Sequence, residues 1–142
     1  MQGCRLTIDR VLVLQDEPNS EFAAALVEFL RQQGCAVAGL SGRDDLVEKA
    51  LRTRPDVILL HGMTAHFDAD DLCARLKGFS QMAAVPVIVV TPGSGADLRV
   101  KSLVAGAADH IQTPFDWMEL WLRMVIHHRR RQMHGFASLA RS

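Results

Sequence analysis

Pro55-Asp56-Val57-Ile58-Leu59-Leu60-His61 decides the fold. Its four apolar residues follow one another without a polar break. A strand with one wet face alternates; an unbroken apolar run is what a strand covered on both faces carries. Such a strand belongs inside a parallel sheet, and this one ends on a histidine at the edge where open α/β sheets place their chemistry. Val11-Leu12-Val13-Leu14 and Val87-Ile88-Val89-Val90 read the same way, while 35–40 and 109–112 are weaker strand candidates.

Helical patterns separate these runs. Phe22, Leu26, Phe29 and Leu30 form one stripe, with Pro18 suited to a first helical turn and Gly34 to the stop. Residues 44–53, 69–79 and 96–105 are expected to form three more helices, and a last one is expected from about 116 to the region of His134. The order is βα five times over. That alternation predicts an α/β fold with a doubly wound five-stranded parallel sheet and right-handed crossovers. Its functional edge then gathers Gln15-Asp16-Glu17, His61, Thr91 and the segment around Thr113.

Composition bounds the rest. A chain of 142 residues, 49% of them hydrophobic, fits one domain with a full core; that domain is expected over 1–134, with 135–142 as a tail or linker. Sixteen basic and sixteen acidic residues cancel, so no net field draws the molecule to nucleic acid or an anionic membrane. Cys4, Cys35 and Cys73 show neither CxxC spacing nor a Cys/His ligand pattern, which favours reduced thiols over a disulfide framework or zinc site. No stretch approaches the ~20 apolar residues of a membrane span, and no leader pattern opens the chain. A cytoplasmic domain with no membrane partner is expected.

At the four strand ends the sequence resembles the receiver domain of two-component response regulators, the CheY-like superfamily, from about Arg10 to Arg131. The landmarks are Val11-Leu12-Val13-Leu14-Gln15-Asp16-Glu17-Pro18, the stretch ending in His61, the strand ending in Thr91, and Gly106-Ala107-Ala108-Asp109-His110-Ile111-Gln112-Thr113-Pro114-Phe115. The resemblance implies the flavodoxin-like (βα)5 fold with strand order 2-1-3-4-5. It also marks departures. Where the family has an acidic pair, Gln15 takes the first place and Asp16 the second, with Glu17 following. His61 stands at the phosphoacceptor position, Thr64-Ala65 replaces the Met-Pro after it, and Thr113 stands where the lysine is usual. Thr91 keeps its hydroxyl, followed by the bulkier Pro92, and His110 occupies the aromatic switch position.

Receiver phosphorylation needs a carboxylate nucleophile, Mg²⁺ held largely by carboxylate oxygens, and a lysine paired with the transferred group. The lysine attraction alone is on the order of 4 kcal/mol at ~4 Å and an effective dielectric of 20, against which Thr113 offers a neutral hydrogen bond. The expectation is a pseudo-receiver without catalytic residues, metal or cofactor. It is not an enzyme, and acts by binding a signalling protein or by dimerising. The alternative is an unconventional phosphorelay receiver with its acceptor at His61, or at Asp68 or Asp70. Two further readings of His61 stay open: a transition-metal site with His66, His110, Asp16 and Glu17, and a pH switch pairing it with Asp16 or Glu17.

The remaining signals are weighed more plainly. Gly93-Ser94-Gly95 lacks a phosphate-loop lysine and reads as a flexible connection. His127-His128-Arg129-Arg130-Arg131 reads as cations favoured by the helix dipole, without direct nucleic-acid binding by this domain. The last helix is apolar on more than one side. Met118, Trp121, Leu122 and Val125 are expected to face inward, while Trp117, Leu120 and Met124 are either covered core or an exposed face for a homodimer and output contacts. An output domain after Ser142 in the native gene is consistent with the resemblance.

Overall fold

The unbroken apolar runs become the central strands. The computed structural model describes residues 8–15, 20–40, 46–61, 69–92 and 96–141, with side chains at all of these except 96–98 and 134–141. Its strands are β1 (Arg10–Gln15), β2 (Ala36–Leu40), β3 (Val57–His61), β4 (Val87–Thr91) and β5 (Asp109–Gln112). They pair in parallel in the order β2-β1-β3-β4-β5. The sheet is thus the one predicted, including the order that the family resemblance implied.

The helices are α1 (Glu21–Gln32), α2 (Leu46–Thr53), α3 (Ala69–Lys77), α4 (Ala96–Val104) and α5 (Trp117–Arg141), with a single 3-10 turn at Ser80–Met82. Successive strand residues point to opposite faces, and two cores result. On one face Leu12, Leu14, Ile58, Leu60, Val87 and Val89 pack with α2 and α3; on the other Val11, Val13, Val57, Leu59, Ile88 and Val90 pack with α1 and α5. Double coverage is why no polar residue interrupts these strands. Cys35 and Cys73 are free and buried, and burial pushes both thiols up to about 11.

Local chemistry sets the helix ends. α1 begins at Glu21 because the Ser20 hydroxyl accepts the Ala23 N–H at 3.1 Å. Pro18, expected in the first turn, precedes that start and lies outside the described residues. Gly34 follows the helix at φ 92°, the left-handed stop expected of it. Gly106, at φ 106°, meets a second demand: a Cβ there would lie 2.9 Å from Lys77 Cγ. Lys77 threads past it to donate to the carbonyls of Met82, Ala83 and Val85, tying α3 to the 3-10 turn. Burial holds its ammonium below the usual lysine range.

α5 corrects the sequence reading of its two sides. Leu120 and Met124 are fully buried in the α1/α5 core, and Trp117 packs against it beside Trp121 and Val125. They are core, not an exposed face. Met118 and Leu122, expected inside, are 48% and 53% exposed, on a side shared with Ile126 and Met133. The inward stripe continues through His128, a polar residue that hides the periodicity from a purely apolar count. The helix also runs to Arg141, past its expected end near His134.

Candidate functional site

Three register facts assemble the site. Gln15 lies opposite His61 across β1 and β3, His61 lies opposite Val90 across β3 and β4, and Thr91 lies opposite Gln112 across β4 and β5. The Thr113 N–H then donates to the Thr91 carbonyl at 2.9 Å. Gln15, His61, Thr91 and Thr113 therefore stand on adjacent strand ends, with strands spaced about 4.8 Å apart. Asp16, Glu17, Thr64, Ala65, His66, Asp68 and Gly93-Ser94-Gly95 lie outside the described residues.

Each described strand-end side chain here is uncharged or an imidazole. Gln15 is 3% exposed, and its Oε1 has no hydrogen-bond partner among the described residues. An orphaned buried acceptor costs free energy, so the site retains capacity for one donor. Thr91 and His110 are both 1% exposed and share a hydrogen bond of 2.5 Å between Oγ1 and Nε2. That bond ties the hydroxyl at the end of β4 to the imidazole expected at the switch position.

His61 has a partner that the sequence reading missed. The Phe22 ring, from the first turn of α1, packs against its imidazole with centroids 4.4 Å apart and planes at 31°. Phe22 is in turn packed on Trp117 at 5.6 Å and edge-on to Phe115 at 6.0 Å, and Phe29 extends the group behind Trp117. Offset and edge-to-face ring pairs stabilise beyond the area they bury. The sequence signal was present but ambiguous: Phe22 sits on the apolar stripe of its helix and was read only as core.

Two acidic residues, one beside the site and one at the opposite end of the sheet, carry structural duties. Asp70 is 6% exposed and accepts from the Ser102 hydroxyl at 2.9 Å, joining α3 to α4. At the far end of β5, Asp109 takes the His110 N–H at 2.8 Å, Arg123 at 2.9 Å and His127 Nε2 at 3.0 Å. Burial opposes its ionisation. The bonds to His127, the His110 N–H and Arg123 outweigh burial and hold the carboxyl below its usual range.

The basic cluster of α5 is likewise put to use inside the domain. His127 binds Asp109, His128 is 6% exposed with its pKa lowered by burial, and Arg131 reaches the Asp56 carbonyl at 3.4 Å. Arg129 and Arg130 are exposed. The Thr113–Pro114 peptide bond, left open by the sequence, is cis.

A parallel doubly wound sheet in this order, with its polar groups at the carboxyl edge, is a flavodoxin-like architecture with a site at the strand ends. Residues 11–124 match the family described as the response regulator receiver domain, and the chain belongs to that family. It is a receiver domain of two-component signal transduction. The transcriptional regulatory protein PrrA of Mycobacterium tuberculosis is 34% identical over 126 residues, 89% of this chain and 52% of PrrA. BaeR of Escherichia coli is 31% identical over 115 residues, 81% of this chain and 46% of BaeR. The BeF3-activated N-terminal receiver domain of Klebsiella pneumoniae RstA superposes with a TM-score of 0.75 at 26% identity, covering 85% of this chain and 99% of that one. The chain spans about half the length of these curated relatives.

The family implies a Mg²⁺ ion at this edge. Mg²⁺ takes hard oxygen ligands in near-octahedral geometry, usually carboxylates and water. The described strand ends offer an amide, imidazole and hydroxyls, and no group of three or more metal-ligating side chains occurs among the described residues. These residues do not fit that ion. Among the described residues, no helix is long and apolar enough to cross a membrane.

Proposed function

We propose that this receiver domain is a pseudo-receiver: it is not phosphorylated by the usual aspartyl mechanism and signals by protein–protein interaction or dimerisation. One observation carries the reading. At the end of β3, opposite Gln15 and against the Phe22 ring, stands His61, where the resemblance places the acceptor carboxylate. The absence of lysine at Thr113 supports it, as does the Thr91–His110 bond, which engages the hydroxyl with a neighbour of the same sheet. In this reading the domain is cytoplasmic, catalyses nothing, needs no cofactor and couples to a signalling partner or an output domain. The equilibrium between its conformations is biased by differential binding of that partner.

The dimer contact in this reading uses the outward side of α5. Met118, Leu122, Ile126 and Met133 line it, and Val100, Leu103 and Val104 of α4 are also exposed. The inward Leu120 and Met124 are excluded by burial.

Titration with beryllium fluoride and Mg²⁺, followed by backbone amide NMR, tests the proposal. Unmoved amides at His61, Thr91 and Thr113 are expected. Saturable shifts at these three positions would overturn it in favour of a nearby carboxylate acceptor. Asp70 is a poor candidate for that role, since it is buried and bonded to Ser102.

A further inference from the structure

A second opening lies at the opposite, amino end of the sheet. It is a cleft of about 770 Å³ between the end of α2, the start of β3, the 3-10 turn and the last part of α5. That volume is in the range of small-molecule sites. Leu51, Met82 and Val85 give it an apolar wall, and the last two are almost completely buried. Lys77 fixes that wall from behind by binding the carbonyls of Met82, Ala83 and Val85.

The charges in the cleft do not cancel. Arg52, Arg54 and Arg131 line it together with Glu48 and Asp56, but both carboxylates are already engaged. Glu48 pairs with Arg52 at 2.6 Å. The Asp56 carboxylate accepts the backbone N–H groups of Asp9 and Arg10 at 3.0 and 2.9 Å. Arg131 makes a single long bond to the Asp56 carbonyl, and Arg54 has no side-chain hydrogen bond or ion pair among the described residues. Two guanidinium groups therefore face one cleft with most of their donors available.

Arg54 adds an independent mark. It follows the last residue of α2 at φ 49°, in left-handed backbone, a position where glycine is the unstrained residue and asparagine the next choice. Strained positions occupied by the wrong residue for the backbone gather at ligand clamps.

We propose that this cleft is a binding site for a small organic anion. The anion's phosphate or carboxylate head is held by Arg54 and Arg131, and its apolar body lies on Leu51, above the floor that Met82 and Val85 fill from beneath. A guanidinium matches either head group with two parallel N–H···O bonds. The site is remote from His61 and independent of how that residue behaves.

The test is an amide NMR titration of the full chain with phenyl phosphate, inorganic phosphate and benzoate. Phenyl phosphate is expected to shift amides saturably around residues 51–57, 81–85 and 128–132, and to bind more tightly than inorganic phosphate. Benzoate binding as tightly as phenyl phosphate assigns the site to carboxylates; weaker binding assigns it to phosphate esters. Arg131→Gln and Arg54→Gly are each expected to weaken binding about tenfold. Arg54→Gly also relieves the backbone strain, so its thermal midpoint stays equal or rises, and its lost affinity is not lost folding. Absence of saturable shifts with all three probes up to about 10 mM, or equal affinity in both variants, overturns the proposal.

Discussion

Among the described residues, the two ends of this sheet differ in charge. At the carboxyl end the described strand-end side chains Gln15, His61, Thr91 and Thr113, with His110 bonded to Thr91, include no carboxylate and no ammonium. At the amino end Asp56 ties down the start of β1, Asp109 gathers Arg123 and His127, and Arg131 reaches back to the Asp56 carbonyl. The family's phosphoryl chemistry belongs to the first end, yet this chain concentrates its described charge interactions at the second. The proposed pseudo-receiver reading rests on this contrast: the scaffold keeps its packing, while the described strand ends offer a metal and a phosphoryl group no charged partner.

α5 connects the two ends. Its first residue, Trp117, packs on Phe22 and so backs the ring against His61, while Arg131, four turns later, reaches Asp56. Leu120 and Met124 anchor the span between them. Leu120→Ala is therefore the most damaging change expected, at about 3 kcal/mol by urea unfolding, because it opens a cavity in a close-packed face. Leu122→Ala, on the outward side, should stay within about 0.5 kcal/mol. Equal losses at the two positions would break the assignment of the helix faces.

Asp109→Asn probes the charged end. The substitution removes a carboxylate held by three donors, and a loss of roughly 2 kcal/mol at pH 7 is expected. The folded pKa of Asp109 lies below its unfolded value of 3.8, so its contribution is present above that value and lost as pH falls through the folded pKa. The variant should lose stability less steeply than wild type below about pH 4. Parallel acid limbs would show that Asp109 is not the group responsible.

At the neutral end the effects should be smaller. Thr91→Val removes the hydroxyl bonded to His110 without changing volume much, and about 1 kcal/mol of stability should go with it. His110 ring resonances should move in the same variant; unmoved resonances would mean that the bond does not persist in solution.

His128 gives the smallest and most selective effect. Burial lowers its folded pKa below the ordinary 6.5. The unfolded chain then binds a proton more readily than the folded one, so stability falls as pH drops below about 6.5. His128→Gln should flatten the stability profile between pH 7 and 5. An unchanged slope would place the proton uptake elsewhere.

How much of this could be read from the chain follows from where the pattern was one-sided. The strands were legible because Val57-Ile58-Leu59-Leu60 and its counterparts are apolar at both parities, which only a doubly covered sheet requires. The strand ends were legible for the same reason, since the pattern stops at Gln15, His61 and Thr91. α5 was not, because Met118, Leu122 and Ile126 make a second apolar side and the true inward stripe contains the polar His128. Periodicity shows that a helix has an apolar side but not which of two sides meets the sheet. The Phe22–His61 contact and the Asp70–Ser102 and Asp109 interactions join residues far apart in sequence, and no local spacing signals them. Arg54 was equally silent, for its left-handed φ becomes visible only with the backbone.

The proposed pseudo-receiver reading stands or falls on whether the carboxyl end accepts phosphate. The most direct measurement is the intact mass of the chain after incubation with Mg²⁺ and acetyl phosphate at neutral pH, where a phosphohistidine would survive. The mass is predicted to stay that of the unmodified chain. One added phosphate that disappears in His61→Ala would contradict the account and make this domain an unconventional phosphorelay receiver.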